Sequence, residues 1–139
     1  MEKKNEDSII DPVRYATEVV GKDPMATFLG VVVEEAREGY ARCSLTIQPH
    51  YLNAAERAHG VAVHAVADQA FAVACNSLGT MALALNFNIN YIAGALDGEK
   101  IFAEAAPINT ARKISVWRIE VRGNEDRLIA SCEGVAYHK

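Results

Sequence analysis

Asp68 is the only formally charged residue between Ala58 and Leu96, in a stretch dominated by alanine and valine. Burying a lone carboxylate in such surroundings is costly unless it is paired or faces a polar cleft. An apolar setting also disfavours the ionised form, which raises the pKa and makes the group a better base at neutral pH. Eight residues earlier stands Gly60, where the apolar run opens. The first N–H groups of a helix have no intrahelical acceptor, and the helix dipole is positive there. Such a terminus suits the oxyanion that develops when an acyl carbonyl is attacked. Plainer readings stand beside both: the aspartate caps a neighbouring segment or pairs with His64, and the glycine only permits close packing.

The element that must carry these residues is one long helix from His59 to Leu78. It is apolar on every side, the pattern of a helix buried all round. Upstream, Asp11-Pro12 offers an N-cap and a first-turn proline for a short amphipathic helix that Gly21 and Pro24 end. A β-branched run from Thr27 to Arg37 predicts a strand that pairs back through Glu38-Gly39 with Tyr40–Gln48. In the second strand Ala41, Cys43, Leu45 and Ile47 alternate with polar residues, so one face is buried. After Gly79, Leu85, Phe87, Ile89 and Tyr91 alternate with Asn86, Asn88 and Asn90. Strands over 100–106, 112–122 and 127–137 follow, and residues 1–8 read as disordered. Hairpin succession favours an antiparallel sheet in one α+β domain spanning 1–139, and only the 59–78 helix is large enough to fill its concave side. A sheet with two separately packed helices is the fallback.

The segment Asn53, His59-Gly60 and Asp68, with the phrase HAVADQAFAVACNSLG, resembles the signature of the hot-dog acyl-CoA thioesterases of the phenylacetate-degradation type. The resemblance implies a sheet wrapped around a central helix and hydrolysis of an acyl-CoA to a free acid and coenzyme A. By it, the Gly60 N–H polarises the thioester carbonyl. Asp68 activates water or attacks the carbonyl itself, and Asn53 and His59 help to position the group. Where the pattern has a second glycine this chain has Val61, and where it has an aromatic residue the chain has His64. Some relatives orient water with a hydroxyl on the next strand, and Asn86 or Asn88 is the nearest candidate here. No cofactor is implied beyond the coenzyme A of the substrate.

Geometry adds a condition. Eight helical residues separate Gly60 from Asp68 by roughly 12 Å along the axis and turn them about 80° apart. One carbonyl cannot touch both, so a shared thioester requires two copies of the chain, with antiparallel helices at a twofold interface. The expectation is a homodimer, and a dimer of such dimers. His59 can bond the loop or a substrate carbonyl. His64, four residues before Asp68, can hold the carboxylate, form a dyad with it or line the pocket. Arg112 and Lys113 suit the phosphates of coenzyme A, although solvated strand-end cations are common. Asn86 and Asn88 line an interface or a cleft.

A net charge of −4 over 139 residues gives no electrostatic reason to expect nucleic acid as a partner. No apolar stretch is long and clean enough for a membrane span, and MEKKNEDS lacks a signal-peptide core. Cys43, Cys75 and Cys132 lack metal-ligand spacing and read as free thiols of a cytoplasmic protein, with a nucleophilic Cys75 the lesser alternative. No metal set is visible. A non-catalytic acyl-CoA-binding module and a hot-dog hydratase or dehydratase are the rival readings. The first would have no use for Asp68, and the second needs a His and acid in other motifs.

Overall fold

The computed structural model describes residue 9 and residues 11–139. The expectation of disorder over 1–8 lies outside the described residues. Asp11 caps α1 (Pro12–Tyr15) by accepting from the Arg14 N–H at 3.2 Å, and the chain continues as a π-turn over Ala16–Val20. The same device then recurs. Asp23 accepts from the Ala26 N–H at 2.9 Å, Pro24 opens α2 (Pro24–Leu29), and Gly30 closes it at a left-handed φ of 83°. Thr27 to Leu29, expected to begin a strand, are therefore helical. A capping aspartate, a first-turn proline and a left-handed glycine outweigh the β-propensity of the residues that follow.

Six strands form one antiparallel sheet: β1 (Val32–Arg37), β2 (Tyr40–Thr46), β3 (Ala82–Tyr91), β4 (Lys100–Thr110), β5 (Ile114–Arg122) and β6 (Leu128–His138). Their order is β1-β2-β4-β5-β6-β3, which leaves β3 at an edge. The long helix α3 (Gly60–Asn76) lies against the inner face of the sheet. Val66, Ala67, Ala70, Phe71, Val73 and Ala74 are buried there beneath Leu45, Ala103, Trp117, Ile119 and Val121. The alternation of Ala41, Cys43, Leu45 and Ile47 appears as expected, with all four buried. This is the hot-dog arrangement.

One expectation fails in an informative way. The helix is not enclosed all round. Val61, His64, Ala65, Asp68 and Ala72 recur at three- and four-residue intervals along one side, and that side is left open or half-open, with Val61 68% exposed. The sheet of one chain covers only part of the helix circumference. Alongside, β3 presents an unpaired backbone edge and exposed Leu83 and Leu85.

Candidate active site

The site is built from the loop that leads into α3. Asn53 folds this loop: its Oδ1 accepts from the N–H groups of Ala55 (2.9 Å) and Arg57 (3.2 Å). Leu52 and Ala58 bridge across it, and the Ala58 N–H donates to the Ala95 carbonyl at 2.8 Å. His59 is the N-cap, and its Nδ1 accepts from the Val61 N–H at 3.0 Å. That bond requires the neutral tautomer with its proton on Nε2. The His59 carbonyl accepts from Ala62 at 2.9 Å and Val63 at 3.3 Å. Three of the four N–H groups at the helix start are thereby engaged. Among the described residues, nothing accepts from the fourth, that of Gly60.

Gly60 faces a cleft of about 440 Å³ lined by Asn53, Arg57, Gly60, Val63, Tyr91 and Gly94, among others. Close packing holds at the same position: a Cβ on Gly60 would come within 3.1 Å of the Tyr91 ring, whose hydroxyl donates to the Gly60 carbonyl at 3.2 Å. The close-packing reading of the glycine therefore holds, and its N–H remains without an acceptor among the described residues. A larger groove of about 590 Å³ lies on the outer face of the sheet, lined by Tyr40, Phe102, Glu104 and Arg122 among others. Two of its three carboxylates are hydrogen-bonded, Glu104 by the Tyr40 hydroxyl and Glu120 by Arg122, and the exposed Asp126 lies 3.9 Å from Arg122. The smaller cleft, with its uncommitted donor, is the better candidate.

Asp68 lies two turns further along α3. In the single chain it is exposed, not buried as expected, because it belongs to the open side of the helix. Protein still crowds the carboxylate on its other sides. That desolvation raises its pKa; nearby His64 opposes the shift and Asp23 adds to it. His64 does not hydrogen-bond Asp68: its ring stacks on Phe87, with centroids 4.8 Å apart. A preformed His–Asp dyad is absent among the described residues. Cys75 is buried, and burial pushes its thiol up to about 12, far from thiolate at neutral pH.

Asn86 and Asn88 lie exposed on β3 and bond to each other at 2.9 Å. Arg112 and Lys113 are exposed in the turn between β4 and β5. The Lys113 carbonyl accepts from the His138 N–H, and His138 pairs with Ala82 at the start of β3. Tyr91, which touches Gly60, ends that strand nine residues later, a span of roughly 30 Å. Within one protomer the basic pair and Gly60 are therefore far apart. Sequence reasoning missed Tyr91 and Arg57 as cleft residues, because neither carries a motif and both arrive through long-range packing. It also missed Asp23 near Asp68, although Asp23-Pro24 repeats the Asp11-Pro12 capping pattern.

Residues 56–130 match the model of the Thioesterase superfamily. A relative from Archaeoglobus fulgidus is 37% identical over 115 residues, which cover 83% of this chain and 75% of that one. The acyl-coenzyme A thioesterase PaaI of Escherichia coli is 29% identical over 115 residues, covering 83% and 82% of the two chains. The solved structure of the E. coli PaaI protein from the phenylacetic acid degradation operon superposes with a TM-score of 0.88 at 26% identity, over 93% of this chain and 94% of its own. With the sheet-wrapped helix, the open cleft at Gly60 and the family match over more than half its length, the chain belongs to the Thioesterase superfamily and is a hot-dog thioesterase of the PaaI-like type.

Proposed function

We propose that this protein hydrolyses acyl-CoA thioesters to a free acid and coenzyme A, at sites shared between two protomers. Asp68 of one protomer directs water onto the carbonyl carbon or attacks that carbon itself. The partner's Gly60 N–H receives the charge that builds on the carbonyl oxygen. The observation that carries the reading is the one N–H at the start of α3 that has no acceptor among the described residues, in a cleft, while three neighbours are engaged. The open side of α3 and the unpaired edge of β3 are surfaces suited to a second copy, since unpaired strand edges template pairing. A twofold axis running there sets the helices antiparallel. It brings Gly60 of one copy toward Asp68 of the other, and the partner's Arg112 and Lys113 toward the Gly60 end, where they suit the phosphates of coenzyme A. Val61, on the open side, bounds the space left for the acyl group, and the alanine and valine lining favours an apolar or aromatic one.

Thiol release from a panel of acyl-CoAs tests the reading. Asp68→Ala should lower kcat by about 100- to 10,000-fold. Gly60→Pro deletes the N–H and should cost about 100- to 1,000-fold. Proline is suited to the first helical position, and His59 before it is already extended at ψ 142°. Gly60→Ala, which puts the same Cβ 3.1 Å from the Tyr91 ring but keeps the N–H, serves as the control for packing and should retain most of the activity. The two inactive variants, mixed and re-equilibrated, should recover about a quarter of wild-type activity, because half the dimers are mixed and each mixed dimer has one intact site. No recovery from exchanged dimers would sink the two-protomer site.

A further inference from the structure

Glu99 lies just before β4 with 2% of its side chain exposed, the most enclosed carboxylate of any ion pair among the described residues. Its Oε2 accepts from the Leu96 N–H at 2.8 Å and its Oε1 from the Asn124 N–H at 2.9 Å. Arg127 covers it at 3.3 Å and donates at 2.6 Å to the carbonyl of Gly94. The carboxylate thus pins both ends of the 94–96 turn, directly at Leu96 and through Arg127 at Gly94. Between those points the Ala95 carbonyl accepts from the Ala58 N–H at 2.8 Å, two residues before Gly60. The turn also forms a wall of the Gly60 cleft, where the Arg57 side chain packs against Gly94.

We infer that Glu99 is a positioning residue for thioester hydrolysis: through Arg127 and the 94–96 turn it fixes the loop that aims the Gly60 N–H into the cleft. The inference rests on the role proposed for Gly60. A merely space-filling Glu99 would not need both oxygens bonded to two different loops. Burial pushes its pKa up, but the Asn124 and Leu96 N–H groups and the Arg127 charge outweigh this, so the net shift is downward and the group is ionised at neutral pH. The donor it aims is worth most when fixed before reaction, and a displacement of about 1 Å at a reacting group can cost roughly 100-fold.

The test is Glu99→Gln, which keeps the shape but turns an N–H donor toward either Leu96 or Asn124. Two measurements are made on protein kept below its melting transition: the Gly60 amide resonances by ¹⁵N–¹H correlation spectroscopy, and kcat and KM with an acyl-CoA. The expected result is a displaced Gly60 resonance and a kcat about tenfold lower, with KM within twofold. A Gly60 resonance that stays in place, or an unchanged kcat, overturns the inference. If Glu99→Gln does not fold, Arg127→Met cuts the tether to Gly94 and must displace the same resonance, with Arg127→Lys restoring part of kcat. An unmoved resonance in Arg127→Met then overturns it. If wild type releases no thiol from any acyl-CoA, the proposed function fails, while the Gly60 resonance still decides whether Glu99 positions that amide.

Discussion

Two clusters in this molecule contain the ingredients of nucleophilic or acid–base chemistry, and they differ in how completely their polar atoms are satisfied. At the start of β5, buried Ser115 sits with its Oγ 2.6 Å from Nε2 of His138, a separation that suits a serine–histidine pair. Trp117 Nε1–H donates to the same Oγ at 2.7 Å; among the described residues the serine proton has only His138 Nε2 as acceptor, which leaves the Nδ1–H to donate to Thr80 Oγ1 at 2.9 Å. The atoms connecting Trp117, Ser115 and His138 are engaged, and no cleft described above reaches Ser115. The α3 site is the reverse. Among the described residues the Gly60 N–H has no acceptor and the partly desolvated Asp68 has no hydrogen bond, and the helix side carrying Asp68 lies open. A satisfied network stabilises a fold; an unsatisfied one is available to a substrate or to another copy of the chain.

The largest predicted effect tests the unsatisfied side of this contrast. Asp68→Asn should reduce kcat by about 100- to 10,000-fold and leave stability intact or improved. A carboxyl with a raised pKa holds its proton more tightly folded than unfolded. Below its unfolded pKa the folded state therefore carries no penalty, and the penalty grows as pH rises through the folded value. The same shift places the acid limb of the wild-type kcat/KM profile above 3.8, since the base must be ionised. An acid limb at or below 3.8 would mean that some other group is titrating.

The satisfied side gives the opposite pattern. Ser115→Ala should leave kcat within about twofold but destabilise by about 1–3 kcal/mol, because the Trp117 N–H and a His138 nitrogen lose their buried partner. Urea unfolding with unchanged slope reads this directly. Loss of activity without loss of stability would make Ser115 a reacting group and erase the contrast.

A smaller effect follows from pH. His138 exposes 3% of its surface, and desolvation lowers its pKa below 6.5. Protonation would also place a hydrogen on Nε2 facing Ser115, whose own proton would then need a new acceptor. The unfolded chain binds the proton more readily, so this contribution to stability is complete above about 6.5 and is lost as pH falls toward the folded value. His138→Asn should flatten the stability profile just below about pH 6.5. A profile equally steep in both proteins would assign the loss to other groups.

The strands, the hairpin and the central helix were legible because alternation and helical spacing are local properties of the chain. Asp68 and Gly60 stood out because each is chemically isolated in an apolar run. The second short helix escapes a reading in which Pro24 ends the first, because Asp23 before that proline makes it an opener. Burial of α3 was over-read for a different reason. Composition reports that a helix needs covering but not whether its own sheet supplies the cover, and here the sheet leaves the side bearing Val61 and Asp68 open. Nothing in the sequence marks Tyr91 or Glu99, since their contacts with Gly60, Leu96 and Asn124 depend on how distant segments meet.

The smallest expected effect concerns His64, the residue that could blur the two clusters into one kind. Spacing of four residues allows a His64–Asp68 bond, and such a bond would make the α3 site a partly satisfied dyad like Ser115–His138. Instead the imidazole stacks on Phe87 with an interplanar angle of 16°, as a flat packing surface. A phenyl ring fills that place equally well, so His64→Phe should keep kcat within about threefold, well short of the 100-fold or more that loss of an acid–base group entails. The His64 charge only lowers the Asp68 pKa, so its removal should move the acid limb of the kcat/KM profile upward, not abolish turnover. A collapse of kcat together with disappearance of the limb would instead make His64 the base, and would leave Asp68 to orient it.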